Sequence, residues 1–393
     1  MRRTRQVSRA RQTADADTIA KLAKRLSESG SRLEDRLWER RLVEVLNDRL
    51  TRGFGDAIET ALDDLAKANH PAYEDLADLA ESCAESTTID IDGKPHDALL
   101  IALPLLAWSR YKLPTSTLAN VLIENVGTHF AAHLAARGTR IAVADMLYSI
   151  DQLPESLGEV HDATLALVDA AAEGRRLRVD TKSLREPVAM LADTRYLLAA
   201  IVTPQAHALY HWQETGVDSD AKTAAIETFC EQVTNVLAPA LTGCRYRVLA
   251  PNAFHAALRH ADRELRAFSL EAAVAFLKLA FDLPASQLQA TIAAYEEKSV
   301  EEMRIGIGRS GDEDAVIEGV VWPLLGDDDE KAQEEIETAL RANGIVRITQ
   351  HAHRFPMEFC DDCGAPMFPN PTGHSVHTEP PEDSEEMPAS PLH

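Results

Sequence analysis

GIVRITQHAHRFPMEFCDDCGAPMF, residues 344–368, is the stretch on which the reading of this 393-residue chain turns. Asn343-Gly344 has the form of a helix C-cap, where glycine takes a backbone conformation that other residues resist. Ile345, Val346 and Ile348 then read as a last core strand. Cys360 and Cys363 follow as a C-x2-C pair with Gly364 behind them, the spacing at which a tight turn presents two thiolates as a metal knuckle. A structural zinc site is tetrahedral, so two more ligands are required. His374 and His377 give C-x2-C-x10-H-x2-H, and His351 and His353 are the upstream alternative. The intervening APMFPNPTG contains three prolines, which exclude the recognition helix of a DNA-reading finger. A C-x2-C also serves as a redox dithiol, a lone disulfide or a pair of free thiols. The redox use wants its first cysteine at a helix N-terminus, which Gly364-Ala365-Pro366 does not open. The expected site is structural zinc held by Cys360, Cys363, His374 and His377.

Outward from that stretch, composition sets the class. Sixty-three acidic against 40 basic residues give a net charge of −23, which argues against a nucleic-acid or acidic-membrane surface. Five cysteines, three of them scattered at Cys83, Cys230 and Cys244, make no disulfide framework and point to a reducing compartment. The opening MRRTRQVSRARQTADAD has no apolar segment behind it, so the expected location is cytoplasmic. The longest apolar run, Ala98 to Trp108, is interrupted by Pro104 and falls short of the roughly 20 residues that a membrane helix needs. It reads as a buried helix.

The organisation expected is α+β: an all-helical N-terminal domain, two ferredoxin-like (α/β plait) repeats, and a C-terminal Cys-x2-Cys knuckle. Residues 1–16, with Arg2, Arg3, Arg5, Arg9 and Arg11, read as a flexible basic arm. Residues 17–175 read as the helical domain, with Leu33, Leu37, Val43, Leu46 and Leu50 near one helix face and Trp38 as a core anchor. Within it, Asp92-Gly93 marks a hairpin turn rather than a calcium loop or a phosphatase motif, because the required neighbours are missing. His129 and His133 share a helix face but lack the glutamate of a metalloprotease helix.

The plaits rest on a repeated order. RYLLAAIVTP, AHALYHWQ, a helix from Ala221 to Leu241, Gly243 and CRYRVLA are matched by MRIGIGRS, VIEGVVWPL, a helix from Glu330 to Asn343, Gly344 and IVRITQ. Trp212 and Trp322 fall in equivalent strands. A strand at Leu177 to Asp180 and a helix at Leu184 to Leu191 complete the first copy. An edge strand at Arg266 to Ser269 and helices from Ser269 to Glu297 precede the second. The bounds are 176–252 and 301–356 for the plaits, 253–300 for connecting helices, 357–378 for the knuckle and 379–393 for a disordered acidic tail.

The segments SGSRLEDRLWE, ADMLYSIDQLPESL, FSLEAAVAFL, EGVVWPL and RFPMEFCDDCGAPMFPNP span nearly the whole chain. Through them it resembles an uncharacterised proteobacterial family known only as a domain of unknown function. The resemblance implies no activity, substrate or catalytic residue. The function expected is a non-enzymatic regulatory or interaction protein whose partner is a protein or a small-molecule regulator. The alternative is a hydrolytic or nucleotide-handling enzyme with carboxylates from the SIDQLPE loop in a pocket between the helices and the plaits. Nothing in the sequence sets an oligomeric state.

Overall fold

The computed structural model describes residues 2–379, apart from 189 and 216–218. Four helices open the chain: α1 (Arg2–Ser27), α2 (Arg32–Thr51), α3 (Gly55–Ala68) and α4 (His70–Glu85). The breaks between them have local causes. Ser31 accepts the Glu34 amide as N-cap of α2, and Asn69 accepts the Ala72 amide as N-cap of α4. Leu42, Leu46 and Leu50 make the buried stripe of α2, packed with Ile19 of α1, Ile58 of α3 and Leu76 of α4.

Two expectations change here. Residues 2–16 of the stretch expected as a flexible arm lie in α1, where no glycine or proline interrupts residues 2–27. Trp38 is not a core anchor. It is half-buried, with the guanidinium groups of Arg25 and Arg41 at 4.9 and 5.1 Å from its ring.

β1 (Ser86–Ile91) and β2 (Lys94–Trp108) form a hairpin about Asp92-Gly93, both at positive φ, which is the turn that an Asp-Gly pair favours. β2 is the correction of most consequence, because the run expected as a buried helix is a 15-residue strand. Both of its faces are covered, so the alternation that marks a half-exposed strand is erased. Its sheet continues through β3 (Ser116–Thr117), β4 (Arg140–Val143), β5 (Met146–Ser149), β6 (Ala192–Pro204), β7 (Arg245–Val248) and β8 (Asn252–Ala253). The connecting helices are α5 (Asn120–His133), α6 (Leu157–Glu173), α7 (His211–Thr215) and α8 (Ser219–Leu237).

β1, β8 and β7 share one edge of β2, β6 takes the other, β4 and β5 pair with β6, and β3 pairs with β5, all antiparallel. Leu103 and Leu105 of β2 share a core with Phe130 of α5 and Phe229 of α8. Leu100 and Leu106 share the opposite core with Leu167 of α6 and the four N-terminal helices. Pro104 is tolerated because it falls in the gap between β8 and β7, with its carbonyl accepting the Leu249 amide at 2.9 Å.

α9 (Phe254–Phe281) links the two sheets, with Phe254 and Phe268 in the first core and Leu270 and Leu277 in the next. The second sheet holds β9 (Leu288–Glu296), β10 (Val300–Arg309) and β11 (Glu318–Pro323), then α10 (Asp329–Ala342) and β12 (Arg347–Gln350). Its order is β11-β10-β9-β12, with β12 parallel to β9 and the rest antiparallel. Short strands β13 (Phe355–Pro356), β14 (Phe368–Pro369) and β15 (Ser375–Val376) finish the described chain.

The repeated β-β-α-β order is absent from the first half. AHALYHWQ forms a turn and α7 in place of a strand, and Trp212 stacks on Tyr210 at 4.7 Å. The expected strand at Leu177 is an isolated bridge to Ala144, and the described residues of 184–191 are not helical. In the second half Arg266 to Ser269 lies inside α9, and 288–296 is strand β9 rather than helix. The acidic tail beyond Glu379 lies outside the described residues. Among the described residues no helix is long and apolar enough to cross a membrane.

Candidate metal centre

After α10, Gly344 at φ +88° turns the chain into β12, and β13 continues along β9 to Tyr295 and Glu296. Cys360 to Gly364 then closes on itself: the Cys360 amide donates to the Ala365 carbonyl and the Gly364 amide to the Cys360 carbonyl, each at 2.8 Å. Gly364 sits at φ +74°, which a side chain would strain. The amides of Cys363 and Asp362 point at the Cys360 sulfur and lower its thiol below the ordinary range. That favours the thiolate, which is the form that binds a metal.

β14 and β15 make a hairpin with Phe368 opposite Val376, so His377 returns beside the knuckle. His377 Nδ1 lies 2.8 Å from the Thr378 carbonyl, and its Nε2 lies 3.2 Å from Cys363 Sγ. With the proton on Nδ1, the Nε2 lone pair is the one turned to the sulfur, the orientation that a carbonyl accepting the other ring N–H gives a metal-bound histidine. Ligand atoms of Cys360, Cys363 and His377 all lie within 4.8 Å of one another, close enough to hold one metal ion.

His374 is not in that group. Its Nδ1 is 3.0 Å from Thr372 Oγ1, and its amide donates to Asn370 Oδ1. His351 and His353 are not in it either. His351 Nε2 donates to the Asn370 carbonyl, and both rings pack near Phe355. These histidines shape the β14–β15 loop, in which buried Asn370 also donates to the Asp314 carbonyl.

Two features under the knuckle escape sequence reasoning. Arg304 of β10 is fully buried, and its Nη1 donates to the carbonyls of Glu358 and Met367 at 2.6 and 2.8 Å. Its Nε meets Glu302 at 2.6 Å, and its guanidinium lies 4.2 Å from the Tyr295 ring and 5.0 Å from that of Phe359. One side chain thus ties both arms of the knuckle to the sheet. Beside it, Gly306 and Gly319 face each other across β10 and β11. A Cβ at 319 would stand 2.3 Å from the Phe368 ring, and one at 306 would stand 2.3 Å from the Pro369 carbonyl oxygen. Gly319→Ala should therefore cost about 1–3 kcal/mol through overpacking. Thermal denaturation checks it, and an unchanged melting temperature would place Phe368 elsewhere.

The carboxylates of the SIDQLPE loop do line a cavity of about 280 Å³, with Tyr148 and Arg185. Each is already engaged. Asp151 accepts the Val188 amide and Glu155 pairs with Arg185, while Glu159 of α6, which also lines the cavity, accepts the amides of Glu155 and Ser156. Asp90 accepts the Gly93 amide in the hairpin turn, and His129 and His133 stack on each other at 5.7 Å.

A family model described as "Protein of unknown function (DUF2863)" matches residues 4–390. No curated protein matches the chain, and no solved structure does.

Proposed function

The chain belongs to the DUF2863 family, and we propose that it is a non-enzymatic cytoplasmic regulatory or interaction protein whose C-terminal segment is held closed by zinc. The observation that carries this is the convergence of Cys360, Cys363 and His377, whose potential ligand atoms lie within 4.8 Å of one another. Two thiolates and an imidazole are a borderline-soft donor set that suits zinc over magnesium or calcium. The fourth position falls to His374 or to solvent.

The role proposed is structural. The ligands sit on turns pinned by Arg304 and by the β14–β15 hairpin, so zinc bound there would fasten the segment 357–378 to the second sheet. An ordered segment of this kind offers a surface for a protein partner or a small regulator. The first sheet supports a related reading, an α/β plait drawn from 94–248, since its order β7-β2-β6-β4 is antiparallel with α5 and α8 in one shared core.

Limited proteolysis tests the fastening. Chelation should speed cleavage within 357–378 several-fold, and Cys360→Ser should be cut at the faster rate without chelator. Identical cleavage with and without chelator would exclude a structural metal.

A further inference from the structure

Edge strand β11, helix α9 and the segment entering β6 enclose a cavity of about 250 Å³. Its half-buried rim includes Leu191, Leu265 and Ser269, and its buried floor is formed by Ala273, Val320 and Glu318. Apart from Glu318 and Ser269 the lining side chains are apolar. Glu318 is only 2% exposed, and its carboxyl takes a hydrogen bond from the adjoining Gly319 amide at 3.2 Å. Among the described residues it has no ion-pair partner, whereas the buried cations Arg195, Arg266 and Arg304 each meet a carboxylate. Burial pushes Glu318 up to about 8.

A carboxyl at the floor of an apolar pocket is half of a recognition site. The geometry points to a ligand site at Glu318 that takes a small organic amine, whose ammonium sits on the carboxylate as the carboxyl proton leaves for solvent, with its apolar body against Leu191, Leu265 and Val320. Size agrees, since a cavity of about 150 Å³ holds benzene and this one takes an aromatic ring with a short aminomethyl arm. The field agrees as well, because a chain of net charge −23 draws cations. The site is separate from the knuckle and does not depend on the metal.

Calorimetric titration of the full chain with benzylamine tests it, with benzyl alcohol as the neutral counterpart. The wild type should show one saturable amine site. Glu318→Gln keeps the shape and an acceptor for the Gly319 amide, and should weaken benzylamine at least tenfold while leaving benzyl alcohol unchanged. Ser269→Leu, which narrows the rim with Glu318 intact, should lose benzylamine too. No saturable benzylamine binding by the wild type, equal binding by Glu318→Gln, or benzyl alcohol bound as tightly as benzylamine would overturn the assignment.

Discussion

Glu318→Gln should make the unliganded protein more stable, by a margin that widens by about 3 kcal/mol between pH 5 and pH 8. Burial raises the Glu318 carboxyl from 4.5 to about 8, so the folded protein keeps a proton that the unfolded chain gives up. The sign follows from linkage: stability is fully present below about pH 4.5 and is lost as pH rises through about 8. The side chains facing Glu318 from α9, β10 and the 190–192 segment include Ser269, Ala273, Ile307 and Leu191, none of them charged. No charged neighbour therefore offsets the effect, and the hydrogen bond from the Gly319 amide opposes it only in part. Glutamine does not titrate, so the difference between the two melting curves isolates this one group. A gap that stays constant from pH 5 to pH 8 would mean that Glu318 is already ionised in the fold.

Arg304→Met should destabilise the protein by about 3–5 kcal/mol, the range for removing one partner of a buried ion pair. Methionine fills much of the volume but strands the carbonyls of Glu358 and Met367, which now receive the guanidinium. It also leaves Glu302 without its 2.6 Å partner. Arg304→Lys should recover little, because a single ammonium cannot span two carbonyls, a carboxylate and the Tyr295 ring together. Denaturant unfolding gives the magnitude, and hydrogen exchange at 355–369 gives the place. Full stability in the lysine variant would show that charge alone, and not the fork, holds the knuckle down.

What the sequence disclosed followed the range of each interaction. The Asp92-Gly93 hairpin and the Cys360-to-Gly364 turn are local, set by backbone preferences a few residues long, and both were legible. Ala98 to Trp108 was misread because burial on two faces removes the period-two signal that separates strand from helix. The apparent repeat failed for a related reason. RYLLAAIVTP and MRIGIGRS are both buried strands, yet the first pairs with β2, about a hundred residues earlier in the chain, and the second with its immediate neighbours β9 and β11.

The site was half legible. C-x2-C named two members of the cluster, but finding the histidine beside them needed the register of the β14–β15 hairpin, which puts His377 beside Cys363 and leaves His374 in the loop. Arg304 and Glu318 each look like an ordinary charge at a strand position. Only pairing across β10 and β11 shows one clamping the knuckle and the other closing a cavity. Gly306 and Gly319 likewise become informative only when they stand opposite each other beneath Phe368 and Pro369.

The deciding measurement is the zinc content of the purified 393-residue chain, set against the Cys360→Ser, Cys363→Ser double variant and His377→Ala. The wild type should carry close to one zinc per chain, the double variant essentially none, and His377→Ala markedly less than the wild type. Equal, near-zero zinc in all three proteins would contradict the account.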